Sequence, residues 1–82
     1  MITDRIKQQC EAMGRRLRTL RESKGLSLRD LADKTDIDNS KIGKIEKGRV
    51  NITIGIFMEL CHGLEVLPKD FFDYDTEVAV KQ

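Results

Sequence analysis

LSLRDLADKTDIDNSKIGKIEKG, residues 26–48, is the stretch that decides the fold. Its apolar residues recur at helical spacing in two short blocks, and a polar segment interrupts the pattern between them. We therefore predict two short helices joined by a turn, with Ser27 as the N-cap of the first and Asp38 as the N-cap of the second. Asp30 stands three residues after Ser27 and can complete a capping box. Asp36 occupies a turn position where we expect a positive φ, which Asp tolerates better than most residues.

The second of these helices divides into two faces. Ile37, Ile42, Ile45 and Glu46 fall on one side of a 3.6-residue period. A helix divided in this way buries one face and offers the other to a partner. The offered face carries amide, hydroxyl and ammonium groups without a carboxylate, which suits nucleic acid; its members are Asn39, Ser40, Gly43, Lys44 and Lys47.

Helical spacing predicts three further helices around this pair. One runs from about Thr3 to Ser23 and is ended by Gly25 in the left-handed conformation. Another begins after the N-cap Thr53 and ends at Gly63 or soon after, and Pro68 suits the first position of a short fifth helix. The apolar residues behind these predictions are Ile6, Cys10, Met13, Leu17 and Leu20 in the first helix, Ile56, Phe57, Leu60, Cys61 and Leu64 in the fourth, and Phe71 and Phe72 in the fifth.

The length and composition indicate one small all-α domain. With 82 residues, of which 39% are hydrophobic, the chain can build a single core but has no room for a second domain. We assign residues 1–72 to the helical domain and residues 73–82 to a C-terminal tail. In the tail Thr76, Val78 and Val80 alternate with other residues, a weak strand signal, so the tail is predicted to be either a strand or disordered.

Other residue types indicate the compartment and exclude some functions. Cys10 and Cys61 lie far apart without a metal-binding motif, and we interpret them as buried thiols in a reducing compartment. No long apolar run or signal sequence is present, so we expect a cytoplasmic protein without membrane contact. His62 is the only histidine, and no Ser or Cys is arranged with a base. We therefore expect no catalytic residues, no metal and no cofactor.

The charge is distributed unevenly along the chain. The net charge of +1 conceals a basic segment, residues 14–49, with 11 Lys and Arg against 6 Asp and Glu. Residues 50–82 carry 2 Lys and Arg against 6 Asp and Glu. This asymmetry indicates that the segment with the helix pair faces a polyanion, while the acidic segment lies away from it.

The order of motifs resembles the helix-turn-helix regulators of the phage repressor and Cro type, also called the xenobiotic-response-element type. The resemblance covers Met13 to Phe72 and rests on LRxxxGLS, then LA, then IxxIExG, then GLEV and PKDFF. It implies a five-helix, lambda-repressor-like DNA-binding domain with a helix-turn-helix at about residues 27–47. In this family the second helix of the pair lies in the major groove of DNA.

The resemblance implies roles for individual residues at this helix. Asn39, Ser40 and Lys44 correspond to residues that read base edges, since Asn can pair with adenine and Lys with guanine. Gly43 lies between them, and we interpret it as a position that allows close approach to the groove. The candidates for phosphate contacts, which position the domain without reading sequence, are Arg29, Lys41, Lys47, Arg49 and Asn51.

Two further positions follow from the comparison with the family pattern. Arg21 lies at the border of the apolar stripe of the first helix, so it needs a partner, and the family pattern implies an ion pair with Glu46. Leu28 is a departure, because the residue after the capping serine is often a Gln that holds a phosphate. One phosphate contact is therefore in doubt, and Arg29 can replace it.

The implied function is that of a DNA-binding transcriptional regulator acting as a homodimer on a two-fold symmetric operator. Small autoregulators fit this length, including restriction-modification controller proteins, mobile-element regulators and antitoxins. RNA polymerase or a regulatory protein is a further candidate partner, through Glu22, Asp30 and Asp33. The alternative is a protein-interaction module with the same fold and no DNA role. Candidate dimer contacts are Ile54, Met58, Leu67 and Tyr74.

Overall fold

Five helices follow one another along the chain, as the apolar spacing predicts. The computed structural model describes residues 3–74, and this range contains no strand. The helices are α1 (Asp4–Ser23), α2 (Leu28–Asp33), α3 (Asn39–Glu46), α4 (Ile54–Leu64) and α5 (Pro68–Phe71). The prediction of an all-α, five-helix fold is confirmed. The predicted strand at Thr76, Val78 and Val80 lies outside the described residues.

The helices begin at local capping groups that the sequence predicts. Thr3 and Thr53 each accept a hydrogen bond, at 3.3 and 3.1 Å, from the backbone N–H three residues on, at the starts of α1 and α4. At α2 the Asp30 N–H donates to Ser27 Oγ at 3.0 Å, and the Ser27 N–H donates to Asp30 Oδ2 at 2.9 Å. The capping box is therefore complete. Pro68 occupies the first turn of α5.

The helix ends are confirmed at two glycines. Gly25 and Gly48 both have a φ of +71°, the left-handed conformation that ends α1 and α3. At the end of α4 this conformation falls on Glu65, with a φ of 58°, so α4 extends to Leu64.

The turn between α2 and α3 differs from the prediction. The expected positive φ at Asp36 is wrong, because Glu65 is the non-glycine residue with positive φ in the described part. The turn is supported instead by Thr35, whose Oγ1 accepts from the Ile37 N–H at 3.1 Å and donates to the Ala32 carbonyl at 3.3 Å. Asp38 is the N-cap of α3, but its side chain makes no capping hydrogen bond.

The core is formed by the inward faces of all five helices. α3 packs against both α1 and α2, α4 packs against α2, and α5 contacts α1 and α4. Full burial of a Leu, Ile or Phe side chain is worth about 1.5 to 3 kcal/mol, so this cluster is the main source of stability. Its members are Leu17, Leu31, Ile37, Ile42, Ile45, Phe57, Leu60, Cys61, Leu64 and Phe71.

Three apolar residues are less buried than the sequence predicts. Ile6 is 43% exposed and Cys10 is only half-buried, because the first turns of α1 extend beyond the core. Phe72 is 53% exposed, although its ring stacks on Phe57 with centroids 5.0 Å apart. Cys61 is buried as expected, and both thiols are free.

Close backbone contacts and one arginine fix the helices relative to one another. A Cβ at Gly14 of α1 would lie 2.4 Å from the Glu46 carbonyl oxygen, so the end of α3 can approach only a glycine. Arg16 of α1 donates from Nε to the Phe71 carbonyl at 2.8 Å and from Nη2 to the Asp70 carbonyl at 2.7 Å. Arg16 therefore satisfies carbonyl groups at the end of α5 and holds it against α1.

None of the helices in residues 3–74 combines the length and the apolar character needed to cross a membrane.

Candidate nucleic-acid interface

The position of α3 is set by its apolar face. Ile42 is fully buried and Ile45 is 2% exposed, so this face lies in the core between α1 and α2. The opposite face is open: Ser40 and Lys44 are exposed, and Asn39 is half-buried. The three residues predicted to read bases therefore lie on or beside the surface of one helix, within six residues of its start.

Gly43 lies on the same side of α3, next to α2. A Cβ at this position would meet Leu28 Cδ1 at 3.7 Å, which is an ordinary van der Waals contact. Nothing within the described fold therefore requires a glycine here, even though glycine in a helix costs about 1 kcal/mol relative to alanine. The predicted role of Gly43 in close approach therefore concerns contacts outside the described fold.

An ion pair fixes α3 to α1 on its inner side. Arg21 Nε donates to Glu46 Oε2 at 2.6 Å, and Arg21 Nη2 donates to Glu46 Oε1 at 3.0 Å. The side chains are 10% and 8% exposed, and Arg21 Nη1 also donates to the Leu26 carbonyl at 2.8 Å. The hydrogen bond that Arg21 donates to Glu46 raises the pKa of Arg21. The guanidinium therefore joins α1, the loop before α2 and the end of α3 in one contact.

Two carboxylates flank the start of α3, at the turn and N-cap positions that the sequence analysis gave to Asp36 and Asp38. Asp36 and Asp38 are exposed and border a cleft that also includes Arg29 and Asn39. This end of α3 therefore carries both acidic and basic groups.

The predicted phosphate-contact residues are all exposed. Arg29 is on α2, and its neighbour Asp30 has a lowered pKa because the Ser27 backbone and hydroxyl groups donate to its carboxylate. Asn51 follows α3, and its Oδ1 accepts from the Cys10 thiol at 3.3 Å. Lys47 and Arg49 line one cleft together with two residues of α1, Lys7 and Glu11. Lys7 was not predicted, since its neighbours come from a segment 40 residues away in the sequence.

The predicted dimer contacts lie on a different part of the surface from the outward face of α3. Ile54 and Met58, one turn apart on α4, are 76% and 48% exposed, and Leu67 before α5 is 57% exposed. Tyr74 is half-buried, and burial raises the pKa of its hydroxyl. The sequence analysis did not include Phe72, whose exposed ring stacks against Tyr74 with centroids 6.3 Å apart.

Among residues 3–74 no group of three His, Cys, Asp or Glu side chains is placed to hold a metal ion.

The fold and the outward face of α3 define a class of protein, the helix-turn-helix domain. A family model described as "Helix-turn-helix domain" matches residues 12–71, and the chain belongs to this family. No curated protein sequence matches the chain.

Solved structures of regulators are similar to this chain. The restriction-modification controller protein C.AhdI from Aeromonas hydrophila shares 34% identity at a TM-score of 0.76, over 78% of this chain and 97% of that one. The controller protein C.Esp1396I, solved as a tetramer with its natural 35 base-pair operator, shares 31% identity at a TM-score of 0.74. The match covers 78% of this chain and 84% of that one. ClgR, the clp gene regulator of C. glutamicum, shares 31% identity at a TM-score of 0.73, over 76% of this chain and 80% of that one.

Proposed function

We propose that the protein is a cytoplasmic transcriptional regulator that binds a two-fold symmetric operator in double-stranded DNA as a homodimer, with α3 in the major groove. The outward face of α3 carries this proposal. It presents Asn39, Ser40 and Lys44 beside a glycine, and buried isoleucines and Glu46 fix its inner side. Asn can bond adenine N6 and N7 together, and Lys can donate to guanine O6 and N7.

The similar structures support operator DNA as the ligand. A controller protein of 31% identity was crystallised as a tetramer on its natural operator. The second helix of a helix-turn-helix pair is the element that enters the major groove, and α3 holds that place here. We assign phosphate contacts to Arg29, Lys41, Lys47, Arg49 and Asn51, all of which are exposed.

We propose that the dimer forms through α4 and the segment that follows it. Ile54, Met58 and Leu67 are exposed apolar side chains in this region, and Tyr74 lies beside a further one, Phe72. A symmetric interface pairs the same surface of both copies, so each apolar side chain contributes twice. Sedimentation of the full chain tests this assignment: replacing Met58 with Lys should shift the dimer towards monomer, whereas Lys24→Gln, an exposed change at the end of α1, should not.

Within this class we propose an autoregulatory role, because two of the similar structures described above are restriction-modification controllers. A mobile-element regulator or an antitoxin would use the same surfaces. For a contact with RNA polymerase we propose Asp33. Glu22 accepts a hydrogen bond from Arg18 at 3.1 Å, and Asp30 takes part in the capping box. Asp33 is exposed at the end of α2.

Selection of bound duplexes from a random pool tests the DNA-binding function. The wild-type chain should enrich a sequence with two inverted half-sites spaced by about one helical turn, about 34 Å. Asn39→Ala should lose the preference at one base pair in each half-site, equivalent to about 1 to 3 kcal/mol of discrimination. Gln8→Ala removes an exposed amide from α1 and is the matched control, so its selected sequence should equal that of the wild type.

The outcomes separate the two functions considered for this fold. Enrichment by the wild type with an unchanged consensus for Asn39→Ala would reject Asn39 as a reader but keep the DNA-binding function. No binding to any duplex at low salt would reject the DNA-binding function in favour of a protein-interaction module, since phosphate contacts are strongest at low salt.

A further inference from the structure

The first two turns of α1 extend beyond the domain that the family model matches. α1 begins at Asp4, whereas the match begins at residue 12. Eight helical residues span about 12 Å, and these turns contribute little to the core, since Ile6 is 43% exposed. Burial of apolar surface therefore does not explain where these turns lie.

These turns are fixed against the end of α3 and the loop that follows it. A Cβ at Gly48 would lie 2.6 Å from Glu11 Cγ and 2.7 Å from Glu11 Cα, so the backbones of α1 and of this loop are in direct contact. One residue earlier in α1, Cys10 Sγ donates to Asn51 Oδ1 at 3.3 Å. The extension of α1 therefore has a defined position beside α3.

This contact brings three cations to the edge of one open cleft. The cleft, of about 440 Å³, is lined by Lys7, Glu11, Lys47, Gly48 and Arg49. Its charged groups are three cations and one carboxylate. The ion pairs found within residues 3–74 are Arg18–Glu22 and Arg21–Glu46, so no carboxylate lies within 4.0 Å of these three cations.

Side chains, and not backbone groups, are available to an anion in this cleft. The Gly48 N–H donates to the Ile45 carbonyl at 3.0 Å, and the Arg49 N–H donates to the Lys44 carbonyl at 3.1 Å. Three cations and one carboxylate leave the cleft with an excess of positive charge, and an anion between the cations reduces their repulsion. A phosphodiester supplies one negative charge and oxygens that accept from both Lys and Arg.

The cleft lies at the end of α3 opposite to Asn39. Asn39 begins α3 and Lys47 follows its last residue, so about 12 Å of helix separates them. The major groove is also about 12 Å wide. With Asn39 at the base edges, the end of α3 that carries Lys47 comes near a strand that borders the groove.

We propose that Lys7, together with Lys47 and Arg49, forms a binding site for a DNA backbone phosphate, so that the extension of α1 adds a contact outside the matched family domain. This inference rests on the proposed DNA-binding function. Lys7 positions the duplex without reading its sequence. Its loss should therefore weaken binding to the selected operator and to an unrelated duplex by the same factor.

The test measures the salt dependence of binding by fluorescence anisotropy with the full chain. Each phosphate contact contributes about 0.9 to the slope of log K against log salt, so Lys7→Gln should reduce the magnitude of the slope by about 0.9. The same relation predicts that Lys7→Gln binds DNA about eightfold more weakly than the wild type at 0.1 M salt. The two affinities should be equal when extrapolated to 1 M salt. Arg5→Gln removes a charge from the same turn of α1, two residues away and outside the cleft, and should leave the slope unchanged.

Three results would overturn the inference. An unchanged slope for Lys7→Gln, with Lys47→Gln reducing it, would remove Lys7 from the site and leave the proposed function intact. Absence of duplex binding by the wild type would reject both. Saturable shifts of the Gly48 and Arg49 amide resonances on addition of inorganic phosphate alone, together with unchanged salt slopes for Lys7→Gln and Lys47→Gln, would assign the cleft to free phosphate. Lys7 is exposed and Gln has a similar helix propensity, so thermal melting should confirm an unchanged fold.

Discussion

Removal of Glu46 should destabilise the protein more than most single substitutions can. In Glu46→Ala the guanidinium of Arg21 stays in a site where its side chain is 10% exposed, and it keeps only the hydrogen bond to the Leu26 carbonyl. Both hydrogen bonds to the carboxylate, at 2.6 and 3.0 Å, are lost. Breaking a buried ion pair from one side costs about 3 to 5 kcal/mol, because one charge remains buried without a partner.

That cost is large relative to the stability of a chain of this size. At about 0.05 to 0.15 kcal/mol per residue, the whole domain is stable by about 4 to 12 kcal/mol. A loss of 1 kcal/mol lowers Tm by about 4 to 8 °C in domains of 60 to 100 residues. Glu46→Ala should therefore lower Tm by at least about 12 °C, and at the low end of the stability range the variant would be largely unfolded at room temperature.

A double-mutant cycle isolates the interaction between the two side chains. Urea denaturation followed by circular dichroism would compare the wild type with Arg21→Met, Glu46→Met and the double variant. Replacing both charges with apolar groups of similar length removes the unpaired charge, so the double variant should be more stable than either single variant. Arg18→Met with Glu22→Met is the matched control, because that ion pair is exposed and is worth about 0 to 1 kcal/mol.

The reasoning would be refuted by a Glu46→Ala variant whose Tm lies within about 2 °C of the wild type, a shift that corresponds to less than about 0.5 kcal/mol. Additive effects of the two single substitutions in the cycle would also contradict it, since they would show that the side chains do not interact.

Further predictions concern single sites. Gly43→Ala should stabilise the fold by up to about 1 kcal/mol in urea titrations yet weaken operator binding. Gly14→Ala should destabilise the fold by about 1 to 3 kcal/mol or more, because the added Cβ meets the α3 backbone. Burial raises the pKa of Cys61, so a thiol reagent at pH 8 should modify Cys10 promptly and Cys61 only upon unfolding; equal rates would contradict this. The pKa of Asp30 is lowered in the folded protein, so its ionised side chain stabilises the fold above pH 3.8, and this effect is lost as the pH falls through the pKa of the folded state. An NMR titration of the Asp30 carboxyl group with a midpoint at or above pH 3.8 would contradict this.

The elements of the fold could be predicted from the sequence because their signals are local. Ser27 with Asp30, and Thr53, cap helices through groups three residues away, and Gly25 ends a helix through its own backbone conformation. The turn before α3 was harder, because Thr35 and Asp36 both offer ways to make it, and only the structure shows that the Thr35 hydroxyl makes the hydrogen bonds.

The surroundings of the candidate site could be predicted only in part. The outward residues of α3 follow from helical periodicity, which needs no knowledge of the rest of the fold. The position of Lys7 depends on the angle at which α1 crosses α3, and that angle is set by the contact at Gly14 and by the contact between Glu11 and Gly48. Such contacts join residues more than 30 positions apart, so no local pattern reports them.

The contacts of α1 with both α3 and α5 have a consequence for the length of the operator. α1 is joined to α3 at Glu46 and, through Arg16, to the carbonyls at the end of α5. In the proposed dimer, α1 of each copy would connect the subunit contact to the α3 of the same copy. An operator with one base pair inserted between its half-sites turns the second half-site by about 34°, so we expect binding to such an operator to require distortion of the DNA and to be weaker.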